Sequence, residues 1–94
     1  MATALDVFPR AYLQFVGTVD QGLQLEVLPA DADGWSLSAD ALMTVIGDGA
    51  DRLWVQLYDA AGHLVRIPLA ELERAIDSAK ADVHGEAWYD RNST

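Results

Sequence analysis

The chain has 94 residues and a mass of 10.2 kDa, which is enough for one domain and leaves no room for a second. An unfolded chain of this mass exposes roughly 14,800 Å² and a compact fold about 5,300 Å², so about two thirds of the surface should be buried. Hydrophobic residues make up 51% and charged residues 22%, a balance that excludes intrinsic disorder. The chain has no cysteine, which excludes a thiol nucleophile, a Cys-ligated zinc and an iron–sulfur cluster.

The charge is strongly acidic, with 15 Asp and Glu against 6 Lys and Arg and a net charge of −9. No Lys or Arg lies between Arg10 and Arg52, whereas this segment holds seven acids. A field of this sign repels nucleic acid and anionic lipid and attracts basic proteins. The charge therefore predicts a basic protein partner and no binding to nucleic acid or membrane. An acidic surface that serves solubility alone is the alternative.

The N-terminal residues lack the pattern of a secretory signal. Residues 1–9 contain no Lys or Arg, and Asp6 and Pro9 interrupt their apolar character. A signal peptide needs a basic region followed by a continuous apolar run, so we expect a cytoplasmic protein. No uncharged stretch is long enough to span a bilayer. We expect one acidic globular domain over residues 1–94, loosely ordered at 1–9 and 86–94.

The first predicted element is a β-hairpin. Residues 11–19 and 22–28 alternate between apolar and polar side chains, and Asp20-Gln21-Gly22 joins the two runs. A short polar loop closed by glycine is typical of a hairpin. The side chains predicted to face the core are Leu13, Phe15, Leu23, Leu25 and Val27.

The middle of the chain allows two interpretations. After a loop over 29–34, Ser38 can cap a helix over 39–46 that stops at Gly47, and Leu37 and Leu42 are spaced as a hydrophobic staple. Residues 42–46 also fit a buried strand, followed by a turn at 48–49. The helix is the favoured interpretation and gives the order ββαββα. The strand gives an antiparallel meander of five or six strands with one C-terminal helix.

A second hairpin and a helix complete the predicted fold. Residues 52–58 and 63–68 alternate on either side of the turn 59–62, and their core-facing side chains are Leu53, Val55, Leu57, Val65 and Ile67. The helix begins after Pro68 and ends before Gly85, and its apolar stripe consists of Leu69, Leu72, Ala75, Ile76, Ala79 and Val83. We expect an α+β fold in which this helix packs on one face of the sheet, with Ile76 deeply buried.

The residue types used in catalysis and metal binding do not form convincing constellations. Asp31-Ala32-Asp33-Gly34 resembles the start of a calcium loop, but its glycine is at position four instead of six and Leu42 stands where a bidentate Glu is required. A turn is the better interpretation. His63 and His84 are isolated, and no serine lies in a Gly-x-Ser-x-Gly motif. We therefore predict no enzyme, no metal and no cofactor.

The opposite face of the predicted sheet has the composition of an interface core, because it combines aromatic side chains with Arg and Gln. A bare Trp54 would invite aggregation, so we predict that it contacts another chain or the C-terminal tail. In the second case Trp88 and Tyr89 would cover the sheet. The candidate interface residues, including acids of the base-free segment, are Tyr12, Asp31, Asp33, Asp48, Asp51, Arg52, Trp54, Gln56, Tyr58 and Arg66.

Three functions are compatible with these features. The first is a non-catalytic protein-binding module, such as a small acidic inhibitor or immunity-type protein that neutralises a basic protein. The second is a homodimeric structural or accessory subunit that assembles through the aromatic outer face of the sheet. The third is a small enzyme or ligand carrier. Self-association measured without any partner separates the first function from the second.

Overall fold

The computed structural model describes residues 6–19 and 22–92, and these residues form five strands and two helices. The elements are β1 (Arg10–Thr18), β2 (Gly22–Ala30), β3 (Met43–Gly47), β4 (Leu53–Tyr58), β5 (Leu64–Pro68), α1 (Leu69–Asp82) and α2 (Glu86–Asn92). Each strand pairs antiparallel with the next, in the order β1-β2-β3-β4-β5. The α+β class and both predicted hairpins are confirmed, and the sheet is the meander that was the alternative interpretation.

The predicted helix over 39–46 is wrong. Residues 38–40 do begin with the expected side-chain bond, since the Asp40 amide donates to Ser38 Oγ at 3.0 Å, but the chain bends there and then becomes extended. The Leu42 amide donates to the Val27 carbonyl at 2.7 Å, and β3 continues between β2 and β4. Pairing on both sides satisfies the backbone of this β-branched segment, which outweighs a local preference for helix.

The turns at 31–34, 48–51 and 59–62 share one hydrogen-bonding scheme. Each begins with an Asp whose Oδ1 accepts the amides two and four residues later, at 2.8–3.0 Å. The last residue of each turn has a positive φ, 90° at Gly34, 60° at Asp51 and 85° at Gly62. The interpretation of 31–34 as a turn is confirmed. In the first predicted hairpin turn, Asp20 and Gln21 lie outside the described residues.

Helix α1 follows β5 directly, because β5 ends at Pro68 and α1 begins at Leu69. The helix ends slightly earlier than predicted, since Val83 is already extended and its amide donates to the Ala79 carbonyl at 2.9 Å. Its contacts with the sheet are concentrated on β4 and β5. None of the residues 69–82 is buried, and Ile76 is 45% exposed, so the predicted deep burial of Ile76 is wrong.

The core is much smaller than the length of the chain predicts. The buried hydrophobic residues in the described part of the chain are Leu28, Ala30, Ile46 and Val55. The accessible surface is 7628 Å², against the about 5,300 Å² expected of a compact fold. The radius of gyration is 16.7 Å, against about 12 Å for a compact domain of this length. The single chain therefore leaves about half of its surface in water instead of one third. The contacts of α1 with the sheet are concentrated on β4 and β5, so the helix does not cover β1 and β2.

Candidate protein-interaction surfaces

One face of the sheet, here called face A, is apolar from edge to edge. Residues that are directly opposite on paired strands point to the same side, so the register defines the face. Its members are Ala11, Leu13, Phe15, Gly17, Leu23, Leu25, Val27, Pro29, Met43, Val45, Gly47, Leu53, Val55, Leu57, Val65 and Ile67. Every side chain predicted to face the core is on this face, so the predicted division of the two hairpins is confirmed.

Cover on face A is uneven, and Leu53 on β4 and Ile67 on β5 are exposed although they were predicted to face the core. Val55, on the strand that α1 contacts, is 0% exposed. On β1 and the first residues of β2 the same face is open: Phe15 is 67% exposed, and Leu13 and Leu23 are exposed to a similar degree, whereas Leu25 and Val27 are half-buried. The predicted burial of these side chains is therefore wrong for the single chain. A continuous apolar area of this kind marks an interaction site on a protein surface.

The opposite face, here called face B, is mixed in character. A row of polar side chains crosses all the strands in register, consisting of Gln14, Glu26, Thr44, Gln56 and Arg66. Two hydrogen bonds join neighbours in the row. Gln14 Nε2 donates to Glu26 Oε1 at 3.0 Å, and Arg66 Nε donates to Gln56 Oε1 at 2.9 Å. These bonds satisfy the polar groups within the sheet. Three of the four buried hydrophobic residues, Leu28, Ala30 and Ile46, also lie on face B, so these apolar side chains are already covered within the chain.

Trp54 is fixed by the turn that precedes its own strand. Its Nε1 donates to Asp48 Oδ2 at 3.0 Å, and the guanidinium of Arg52 lies 5.8 Å from the centre of its ring. Arg52 Nε also donates to Asp48 Oδ2, at 3.0 Å. The predicted contact of Trp54 with the C-terminal tail is replaced by these contacts within residues 48–54.

Asp48 is the most strongly perturbed carboxyl group described. The hydrogen bond from Trp54, followed by those from the backbone amides of Arg52 and Ala50, holds its pKa far below the ordinary value. All these donors stabilise the charged form, and burial opposes them only weakly. Asp48 therefore acts as a structural anion of the turn, with its oxygen atoms already engaged.

The candidate interface residues divide into separate groups. The register places Tyr12, Trp54, Gln56, Tyr58 and Arg66 on face B. The acids lie in loops at the two ends of β3, with Asp31 and Asp33 before it and Asp48 and Asp51, followed by Arg52, after it. The four acids therefore do not form one patch. Sequence reasoning missed the exposed part of face A on β1 and β2, although one helix for five apolar strands was a signal of incomplete cover.

The aromatic residues of the C-terminal segment pack on one another. The rings of His84 and Trp88 are stacked, with their centres 3.9 Å apart and their planes at 9°. Tyr89 meets Trp88 edge-on at 5.1 Å. This cluster lies at the end of α1 that is remote from β5. The alternative in which Trp88 and Tyr89 cover the sheet is therefore not the arrangement observed.

Other kinds of site find little support. Within residues 6–19 and 22–92, no group of three or more His, Asp or Glu side chains is arranged to hold a metal ion. Neither α1 nor α2, the helices of the described part, is long and apolar enough to cross a membrane. Comparison with protein-family models, curated proteins and solved structures gives no significant match to this chain.

Proposed function

We propose that this chain is a non-catalytic protein-binding subunit and that face A is its binding surface. The observation that carries the proposal is the exposure of Leu13, Phe15 and Leu23 on the apolar face of β1 and β2. The surface beyond that of a compact fold amounts to about 2,300 Å². This excess belongs to the whole chain, and a standard protein–protein interface takes about 800 Å² from each partner.

The energetics favour a partner at face A. Full burial of a Leu or Phe side chain is worth about 1.5–3 kcal/mol, and Leu13, Phe15 and Leu23 together offer several kcal/mol of binding free energy. Left in water, an apolar sheet of this kind associates non-specifically. A protein partner would therefore both complete the core and prevent aggregation.

Two substitutions, at residues whose side chains have the same exposed fraction, test the proposal. Phe15 on face A and Tyr58 on face B are both 67% exposed. We expect Phe15→Gln to weaken the native complex at least tenfold, since a central aromatic anchor is worth about 2 kcal/mol or more. Tyr58→Gln should leave the complex unchanged. The measurement is native mass spectrometry of the purified protein and of complexes isolated from its source. Equal complexes for the wild type and Phe15→Gln would exclude face A as the binding surface.

The acidic charge favours a second candidate function, an inhibitor that captures a basic protein. Its support is the net charge of −9 and the segment without Lys or Arg from residue 11 to residue 51. The association rate with a basic protein should then fall as salt rises, because surface charges are screened beyond about 8 Å at physiological ionic strength. Asp33→Asn with Asp51→Asn should slow association further and preserve the turns anchored by Asp31 and Asp48. A rate that is independent of salt would reduce the acids to a role in solubility.

A further inference from the structure

We infer that the partner on face A is a second copy of this chain, and that α1 of each copy lies across β1 and β2 of the other. The inference rests on the proposed function of face A and adds the identity of the partner. Its basis is that each chain carries two unpartnered apolar surfaces, one on the sheet and one on the helix.

Helix α1 is long enough to cover the sheet and does not do so. Its 14 residues span about 21 Å, and five strands are about 19 Å wide. Its contacts nevertheless stay on β4 and β5. Pro68, which has an extended backbone, joins β5 to α1 with no loop, so the chain has no connecting residues with which to turn the helix back over β1 and β2.

The apolar stripe of α1 continues beyond its own sheet. Leu69 and Leu72 are half-buried near the sheet, whereas Ile76 is exposed farther along α1 and Val83 is exposed just after its end. An amphipathic helix gains its stability mainly by burying its apolar side, so the distal part of the stripe lacks a partner. The open half of face A provides apolar side chains for that purpose.

A dimer with two-fold symmetry would cover both apolar surfaces, the one on the sheet and the one on the helix, at once. In a symmetric dimer the distal half of α1 meets the open half of face A, and the same contact is made a second time. About 2,300 Å² of excess surface per chain gives about 4,600 Å² for two chains, within the 2,000–5,000 Å² typical of obligate homodimers. The excess is therefore of the size that an obligate homodimer buries.

The charges also favour a second copy over a basic protein at this surface. Among the strand residues that the structure describes, face A holds no charged side chain. A basic partner would find no acid there with which to pair. On the sheet side of the contact, each copy presents apolar side chains only, so the acids of the chain do not repel the second copy there.

The absence of cysteine permits a direct test by disulfide cross-linking. Phe15→Cys and Leu13→Cys are each combined with Ile76→Cys or Val83→Cys, because a disulfide requires Cα atoms about 4.4–6.8 Å apart and the best pair must be found by scanning. After mild oxidation we expect a dimer joined between β1 of one copy and α1 of the other, identified by mass spectrometry of its peptides. Tyr58→Cys with Ile76→Cys is the matched control on face B and should stay unlinked.

The possible outcomes separate the inference from the proposed function. A monomer cross-linked internally between β1 and α1 overturns the dimer, because the helix then folds back on its own sheet. Links only between two Phe15→Cys positions overturn the helix exchange. A complex with a different protein that is lost in Phe15→Gln overturns the second copy and keeps face A as the binding surface. Both proposals are overturned if the purified protein is a monomer and Phe15→Gln leaves every complex with other proteins unchanged.

Discussion

The two ends of face A differ in cover although they are alike in sequence. Val55 on β4 and Phe15 on β1 both occupy apolar positions of an alternating hairpin, yet Val55 is fully buried and Phe15 is mostly in water. Val55 lies on an inner strand that is paired on both sides and contacted by α1, whereas Phe15 lies on the edge strand β1. Alternation therefore specifies which side chains share a face, and the path of the next element decides whether that face is inside the protein.

The largest expected effect is the difference in unfolding free energy between a substitution at Val55 in the core and one at Ile76 in the apolar stripe of α1. Val55→Ala should lower the free energy of unfolding by about 2 kcal/mol or more at every protein concentration, because it leaves a cavity inside one chain. Ile76→Ala should cost less than about 1 kcal/mol in dilute protein, since the side chain is half in water. At high concentration its cost should rise, because stability that depends on association grows with concentration.

Urea unfolding of both variants over a hundredfold range of protein concentration provides the measurement. A cost of 2–5 kcal/mol for Ile76→Ala at every concentration would mean that α1 packs on its own sheet. That result would remove the contrast between the two ends of face A.

Much of the fold was predictable from local signals. The turn at 59–62, the alternation of the strands it joins and the helix after Pro68 are specified by residues close together in the chain. Strand β3 was harder, because Ser38 and Gly47 carry helix signals whereas the strand depends on pairing with two distant neighbours. The open half of face A was not predictable from alternation, since cover depends on the direction in which α1 leaves β5.

A smaller effect concerns the turns that hold the strands in register. Gly62 and Asp51 occupy the same position in equivalent turns, with φ values of 85° and 60°. Gly62→Ala should lower the free energy of unfolding by about 1 kcal/mol or more, because a Cβ disfavours the left-handed conformation. Asp51→Gly should raise the free energy of unfolding by a smaller amount. Glycine relieves the left-handed conformation in the folded chain, but part of this gain is offset because glycine makes the unfolded chain more flexible. Thermal unfolding of both variants checks the pair, and a stabilising Gly62→Ala would contradict the shared turn geometry.

The smallest expected effect is the pH dependence of the stability that Asp48 contributes through the 48–51 turn. Because the folded pKa of Asp48 lies far below its ordinary value, its contribution is fully present above the unfolded pKa of about 3.9 and is lost as the pH falls toward the folded pKa. We expect the difference in unfolding free energy between the wild type and Asp48→Asn to be constant above about pH 5 and to shrink below about pH 4. Trp54→Phe, which keeps a ring and removes the N–H donor, should raise the pKa of Asp48 and narrow the acid range over which the contribution is lost. Urea unfolding from pH 2 to pH 7 measures all three proteins. A difference that does not change with pH would mean that the Trp54 hydrogen bond and the backbone amides do not stabilise the charged form of Asp48.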